Sequence, residues 1–144
     1  AGLREAANHF GISIPHMGTE HPGITQEVQM GYLTTKQLMT QYPETDGLIC
    51  FHDLYAYGAL DAYDELGIAV PDQVAVVGFD DISYSSLKRI SLTTVHPPKF
   101  DIGLRAAELL FSMIDGSDGM QEIVLDVDLI ARGSTTKTSP KRPT

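Results

Sequence analysis

Two pairs of side chains have the types and the setting to recognise a ligand. His52-Asp53 follows the apolar run GLICF, and Asp80-Asp81 follows VAVVGF. Both runs have the length and apolar content of short strands, and in an open parallel sheet ligands bind outside the carboxyl ends of the strands, where neighbouring loops diverge. A carboxylate at such an end accepts two hydroxyl hydrogen bonds from one ligand, which a sugar or a purine edge supplies. The same placement allows a plainer role. Aspartate is a favoured N-cap, and spacing alone favours capping of the next helix or turn by Asp53 and Asp80.

No catalytic constellation accompanies these groups. Asp80 and Asp81 lack a further acid or histidine at metal-ligand spacing. Ser83, Ser85 and Ser86 lie outside any G-x-S-x-G turn, and no glycine-rich phosphate cradle occurs. His9, His16, His21 and His96 are scattered and read as surface or structural residues. Cys50, inside an apolar run, reads as a small buried hydrophobe. The sequence therefore predicts neither an enzyme nor a metal or cofactor site.

The elements that position the two pairs follow from periodicity. Leu3, Ala6, Ala7 and Phe10 share one face of a helix over 1–10, stopped by Gly11. A strand is expected over 12–17, weakened by Pro15, then a loop at 21–23 and a helix over 25–41. GLICF reads as a buried strand, and 54–66 as a helix apolar on more than one side. Tyr55, Ala59, Ala62, Tyr63 and Leu66 form one stripe, which Ala56, Tyr57 and Leu60 broaden, so a second packing partner is expected and a subunit interface would supply one. Residues 73–79 read as a central strand buried on both faces. Another strand at 92–95, an amphipathic helix over 99–115 and a strand over 122–131 complete an α/β fold with a parallel sheet. The Thr-, Lys- and Pro-rich stretch from Ser134, above all 136–144, reads as a mobile tail.

Composition narrows the partners. The 144 residues carry 10 Lys plus Arg against 19 Asp plus Glu, a net charge of -9, and such a surface repels nucleic acid. No apolar run reaches the ~18 residues of a membrane span, so no membrane is expected as partner. The single cysteine excludes an internal disulfide and points to a reducing compartment, the cytoplasm.

The ordered set Asp53 to Gly58, Leu66-Gly67-Ile68, Val70-Pro71-Asp72, Val77-Gly78-Phe79-Asp80-Asp81 and Leu92-Thr93-Thr94-Val95 resembles the effector-binding domain of lactose-repressor-type (LacI/GalR) transcription regulators. The helix GLRAAELL and then Leu129-Ile130, Arg132 and Ser134-Thr135 extend the likeness from Ala1 to about Thr135. The resemblance implies a type I periplasmic-binding-protein-like lobe with an incomplete second lobe. It implies a C-terminal lobe over 1–95, a helix returning to the other lobe over 96–121, final strands over 122–135, and a tail over 136–144. It also implies a small polar effector, a sugar by preference, bound between lobes to modulate operator affinity. Operator DNA would be read by an N-terminal helix-turn-helix that these residues do not contain.

The resemblance assigns effector contacts to Asp80, His52 and Gln26. Two of these depart from the family pattern. The position of His52 is often Asn, whose amide offers a pair of bonds where imidazole offers one. The position of Gln26 often carries an aromatic ring that stacks on the effector. Homodimer contacts are implied at Tyr57, Leu60, Leu87 and Lys88. With the partner lobe absent, the apolar face of the 99–115 helix should stand uncovered. The rival reading is a periplasmic sugar-binding protein of a transport system, which shares the fold.

Overall fold

A computed structural model describes residues 2–14, 26–116 and 121–136. The elements run α1 (Gly2–Phe10), α2 (Glu27–Gln41), β1 (Gly47–Ile49), α3 (Asp53–Glu65), β2 (Ala75–Phe79), a 3-10 turn (Ser83–Ser86), β3 (Thr93–His96), α4 (Lys99–Ile114) and β4 (Asp128–Ile130). The four strands form one sheet in the order β1-β2-β3-β4, the first three parallel and β4 antiparallel. The helix between β1 and β2 makes their parallel pairing possible, since parallel neighbours need a long crossover.

Alternation along the strands decides which residues meet the helices. Leu48, Val76 and Leu92 pack with Ala56, Ala59 and Tyr63 of α3, and these residues with Val74 form the core. The small residues Ala56, Ala59 and Ala62 are fully buried and let α3 lie close against its neighbours. The expected second partner of α3 is inside the chain. It is α2, which packs along it through two glycines. A Cβ on Gly58 would collide with the Val28 carbonyl oxygen, and one on Gly31 with the Tyr55 carbonyl oxygen, so each helix backbone rests directly on the other. Lys36 closes the far end of the pair by an ion pair to Glu65 at 2.7 Å, and the Tyr32 hydroxyl donates to the same carboxylate. Tyr57 and Leu60 are half-buried and pack against the core.

Several expectations from periodicity need correction. Residues 12–14 form no strand, and 15–17 lie outside the described residues. The strand expected over 122–131 is confined to Asp128–Ile130. Among the described residues β1 is an edge strand with Ile49 exposed, not a buried one, and β2 is fully covered on the Val76 face but only partly on the other, where Ala75 and Val77 are half-buried and Phe79 is exposed. The reason is common to both. An apolar run reports what a strand could bury, and here α3 supplies cover from one side. The helix α4, by contrast, stands uncovered as expected: it has no buried residue, and Ile102, Leu110 and Met113 are exposed while Leu109 is half-buried. The loop expected at 21–23 and residues 137–144 of the expected tail fall outside the described residues, whereas Ser134, read as the start of that tail, is buried and bonded to the start of β3 and to β2.

The glycine crossing generates a paired test. Gly58→Ala should destabilise the intact protein by about 3 kcal/mol, because the Val28 and Tyr32 atoms it meets are backbone and cannot swing aside. Gly103→Ala, in open space within α4, should gain up to about 1 kcal/mol from helix propensity. Urea denaturation midpoints separate the two.

Candidate functional site

The parallel register assembles the site at the carboxyl edge of the sheet. Gly47, Leu48 and Ile49 pair with Ala75, Val76 and Val77, and His52 and Asp80 each follow the carboxyl end of one of these paired strands. Asp53 is the first residue of α3 and is fully buried. It neither caps its own helix nor faces a ligand. Its carboxylate accepts from the Ile82 amide at 2.9 Å, the Ser85 hydroxyl at 2.5 Å and the Thr94 hydroxyl at 2.6 Å. The Tyr57 hydroxyl lies 2.8 Å from Ser85 Oγ and extends this network. Gly78 leaves room for the carboxylate, since a Cβ there would strike Asp53 Oδ1.

Asp80 stands differently. It is half-buried, its amide donates to the Val95 carbonyl at 2.9 Å, and its carboxylate has no protein partner among the described residues. Its φ is 100° and that of Asp81 is 45°. Aspartate tolerates the left-handed region better than most residues, yet two in succession form a strained turn, and such turns cluster at functional sites. Asp81 faces inward. Its carboxylate takes an ion pair from Arg132 at 2.7 Å and a contact from His96 Nδ1 at 2.9 Å. Burial pushes the Asp81 carboxyl up, but Arg132 and His96 outweigh it and hold the group below the usual carboxylate range.

His52 precedes α3 and extends over Tyr55, with ring centroids 4.8 Å apart. Its Nε2 lies 3.1 Å from the carboxylate of Glu27, in the first turn of α2. That contact consumes one ring nitrogen, so Nδ1 is the atom left for a ligand, in keeping with the single bond expected of imidazole. Gln26, the exposed N-cap residue of α2, is next to Glu27 in the chain. The α2–α3 crossing therefore brings Gln26, Glu27 and His52 to one corner, and Asp80 follows the end of the neighbouring strand β2. Phe51, 84% exposed, leans on His52 with ring centroids 5.5 Å apart.

Glu27, Phe51 and Arg132 were not legible as participants from spacing. Glu27 reaches His52 only through helix packing, and Arg132 reaches Asp81 across the sheet. Among the described residues no group of three or more metal-binding side chains comes together, and no helix is long and apolar enough to cross a membrane.

An open α/β sheet with polar groups gathered at its carboxyl edge defines a ligand-binding domain. The model of the periplasmic binding protein-like domain matches residues 1–135, and the chain belongs to that family, in its lactose-repressor-type branch. It is 34% identical over 102 residues to an arabinose metabolism transcriptional repressor of Halalkalibacterium halodurans, an alignment covering 67% of this chain and 27% of the repressor. A LacI family regulator of Arthrobacter sp. FB24, solved in complex with lactose, superposes with a TM-score of 0.77 at 28% identity, covering 93% of this chain and 49% of that one. The regulator CelR in complex with cellobiose gives a TM-score of 0.79 at 28% identity, covering 92% of this chain and 40% of that one. The chain thus spans about a quarter of the length of the arabinose repressor and under half of the two solved regulators.

Two measurements test the electrostatics. With its folded pKa lowered from the ordinary value of about 4, Asp81 stabilises the fold fully above that value and loses the contribution as pH falls through the folded one. Acid unfolding followed by circular dichroism should therefore show a shallower acid limb in Asp81→Asn than in the parent. The Cys50 thiol is pushed up to about 12 by burial and, secondarily, by the charge of Asp53. At pH 8 it should resist a maleimide in the native protein and react once urea unfolds the chain.

Proposed function

We propose that this chain is the effector-sensing part of a DNA-binding transcriptional regulator. A small polar ligand, a sugar or sugar derivative, binds at the carboxyl edge of the sheet and changes operator affinity in the intact protein. The observation that carries the reading is Asp80, an unpartnered carboxylate held at φ 100° at the end of the central parallel strand. With Nδ1 of His52, the amide of Gln26 and the outer oxygen of Glu27, it offers acceptors to a ligand rich in hydroxyl donors. Phe51 adds an exposed ring, and aromatic faces suit the C–H faces of a pyranose. The lactose and cellobiose complexes of similar regulators support the sugar class.

The regulator reading carries further assignments. Residues 1–95 serve as the C-terminal lobe, 96–121 as the connection to a second lobe, and 122–135 as its returning strands. The uncovered face of α4 suits such a second lobe. Exposed Leu87 and Lys88, with half-buried Tyr57 and Leu60, form the homodimer contact. The intact protein works in the cytoplasm, binds operator DNA through an N-terminal domain, and catalyses no reaction. Ligand binding acts by its differential affinity for two arrangements of the lobes.

The test removes the carboxylate without distorting the turn. Asp80→Gly in the full-length protein keeps the positive φ at no steric cost. Calorimetric titration with lactose and with cellobiose should show affinity lowered at least tenfold, the order expected when a hydrogen bond to a charged group is lost. The melting temperature should not fall. Unchanged affinity would remove Asp80 from the site, and release of operator by neither sugar would count against the sugar class.

A further inference from the structure

The structure explains how a strained turn is kept at the ligand edge, and this points to a residue the effector reading leaves without a role. Asp80 and Asp81 both occupy the left-handed region, which is unfavourable for side chains with a Cβ and persists only where the surroundings enforce it. The amides of the turn are spoken for, with Asp80 donating to Val95, Asp81 to the Thr94 hydroxyl at 3.3 Å and Ile82 to Asp53. Those bonds fix the turn to β3 and α3 from its inner side. A further hold comes from Arg132. Its Nη2 pairs with Asp81 Oδ1 at 2.7 Å while Nη1 donates to the Leu92 carbonyl at 2.9 Å, so the planar fork spans the turn and the start of β3.

Arg132 is itself immobilised. Its amide donates to Thr93 Oγ1 at 2.8 Å, and its carbonyl accepts from the same hydroxyl at 3.1 Å. The arginine and aspartate side chains are only 17% and 18% exposed, so water competes weakly with the pair. His96, the last residue of β3, takes the other oxygen of Asp81. Lys99, the first residue of α4, donates to the Asp80 carbonyl.

We propose that Arg132, acting through Asp81, is a positioning residue that clamps Asp80 in its left-handed conformation and so aims its carboxylate at the effector. The proposal rests on the reading of Asp80 as an effector contact. Of the groups that hold the turn, Arg132 follows β4, His96 ends β3 and Lys99 opens α4. The clamp therefore joins the ligand edge to the chain segments on either side of α4.

Hydrogen exchange read by mass spectrometry tests the clamp with no ligand present. In the full-length protein, Arg132→Gln and Asp81→Ala should each speed exchange of the Asp80–Ile82 amides at least tenfold, leaving α2 and α3 as protected as in the parent. Arg132→Lys, which can reach Asp81 or Leu92 but lacks the fork for both, should fall between. Titration with lactose and cellobiose should then show affinity lowered about tenfold in the two severe variants. Parent-like exchange in the turn would overturn the clamp, as would collapse of α2 and α3 protection in both, since the pair would then support the whole fold. A loosened turn with undiminished affinity would overturn its link to the effector. If the parent binds neither sugar, the sugar reading fails while the exchange result still decides the clamp.

Discussion

The buried carboxylate of Asp53 is the interaction on which the rest of the ligand edge depends. It sits at the first turn of α3, where the helix dipole favours an acid, and it accepts from an amide and two hydroxyls contributed by the 81–86 loop and β3. The loop after β2 and the strand β3 thus converge on one pair of oxygens carried by α3. Removing the acceptor would leave those donors buried without partners, a loss well above that of an ordinary surface hydrogen bond. Gly78 follows from the same demand, because β2 can pass beside the carboxylate only without a side chain at that point.

Around this anchor the two aspartates of the next strand end divide the work. Asp81 turns inward to Arg132 and His96, and Asp80 turns to the open edge. Adjacent residues of identical type thus have opposite fates, decided by backbone geometry and by which side offers a cation. Ser134 completes the frame behind them. Its hydroxyl accepts from the Thr93 amide at 2.8 Å and donates to the Val76 carbonyl at 2.6 Å, bridging β3 and β2 where β3 begins.

Much of this is legible in the amino-acid sequence. Apolar runs and helical spacing located α2, α3, α4 and the three parallel strands to within a few residues, because burial against a neighbour imposes those periods directly. What they could not convey was the identity of the neighbour. The surplus apolar surface of α3 was real, and part of its cover is α2, a contact visible only once Gly31 and Gly58 are seen to face one another. The sequence marked His52 and Asp80 through their place after strands, whereas Asp53, equally placed, turned inward. Its burial depends on Ser85 and Thr94, and no local pattern ties those residues to it. Arg132 was part of an ordered motif without a stated task, since its partner lies across the sheet.

The contact of backbone on backbone between α2 and α3 has a bearing on how such a domain can change its ligand. With no layer of side chains between them at the crossing, the two helices have little room to slide or to be repacked, and Gly31 and Gly58 admit no replacement there without a shift. Gln26, Glu27 and His52 sit beyond that crossing, at the helix ends, where a new side chain meets open space or another replaceable group. Substitution at the tips changes the groups offered at that edge, and the joint beneath keeps its geometry. A scaffold divided in this way is open to change at its rim and closed to it at its joint.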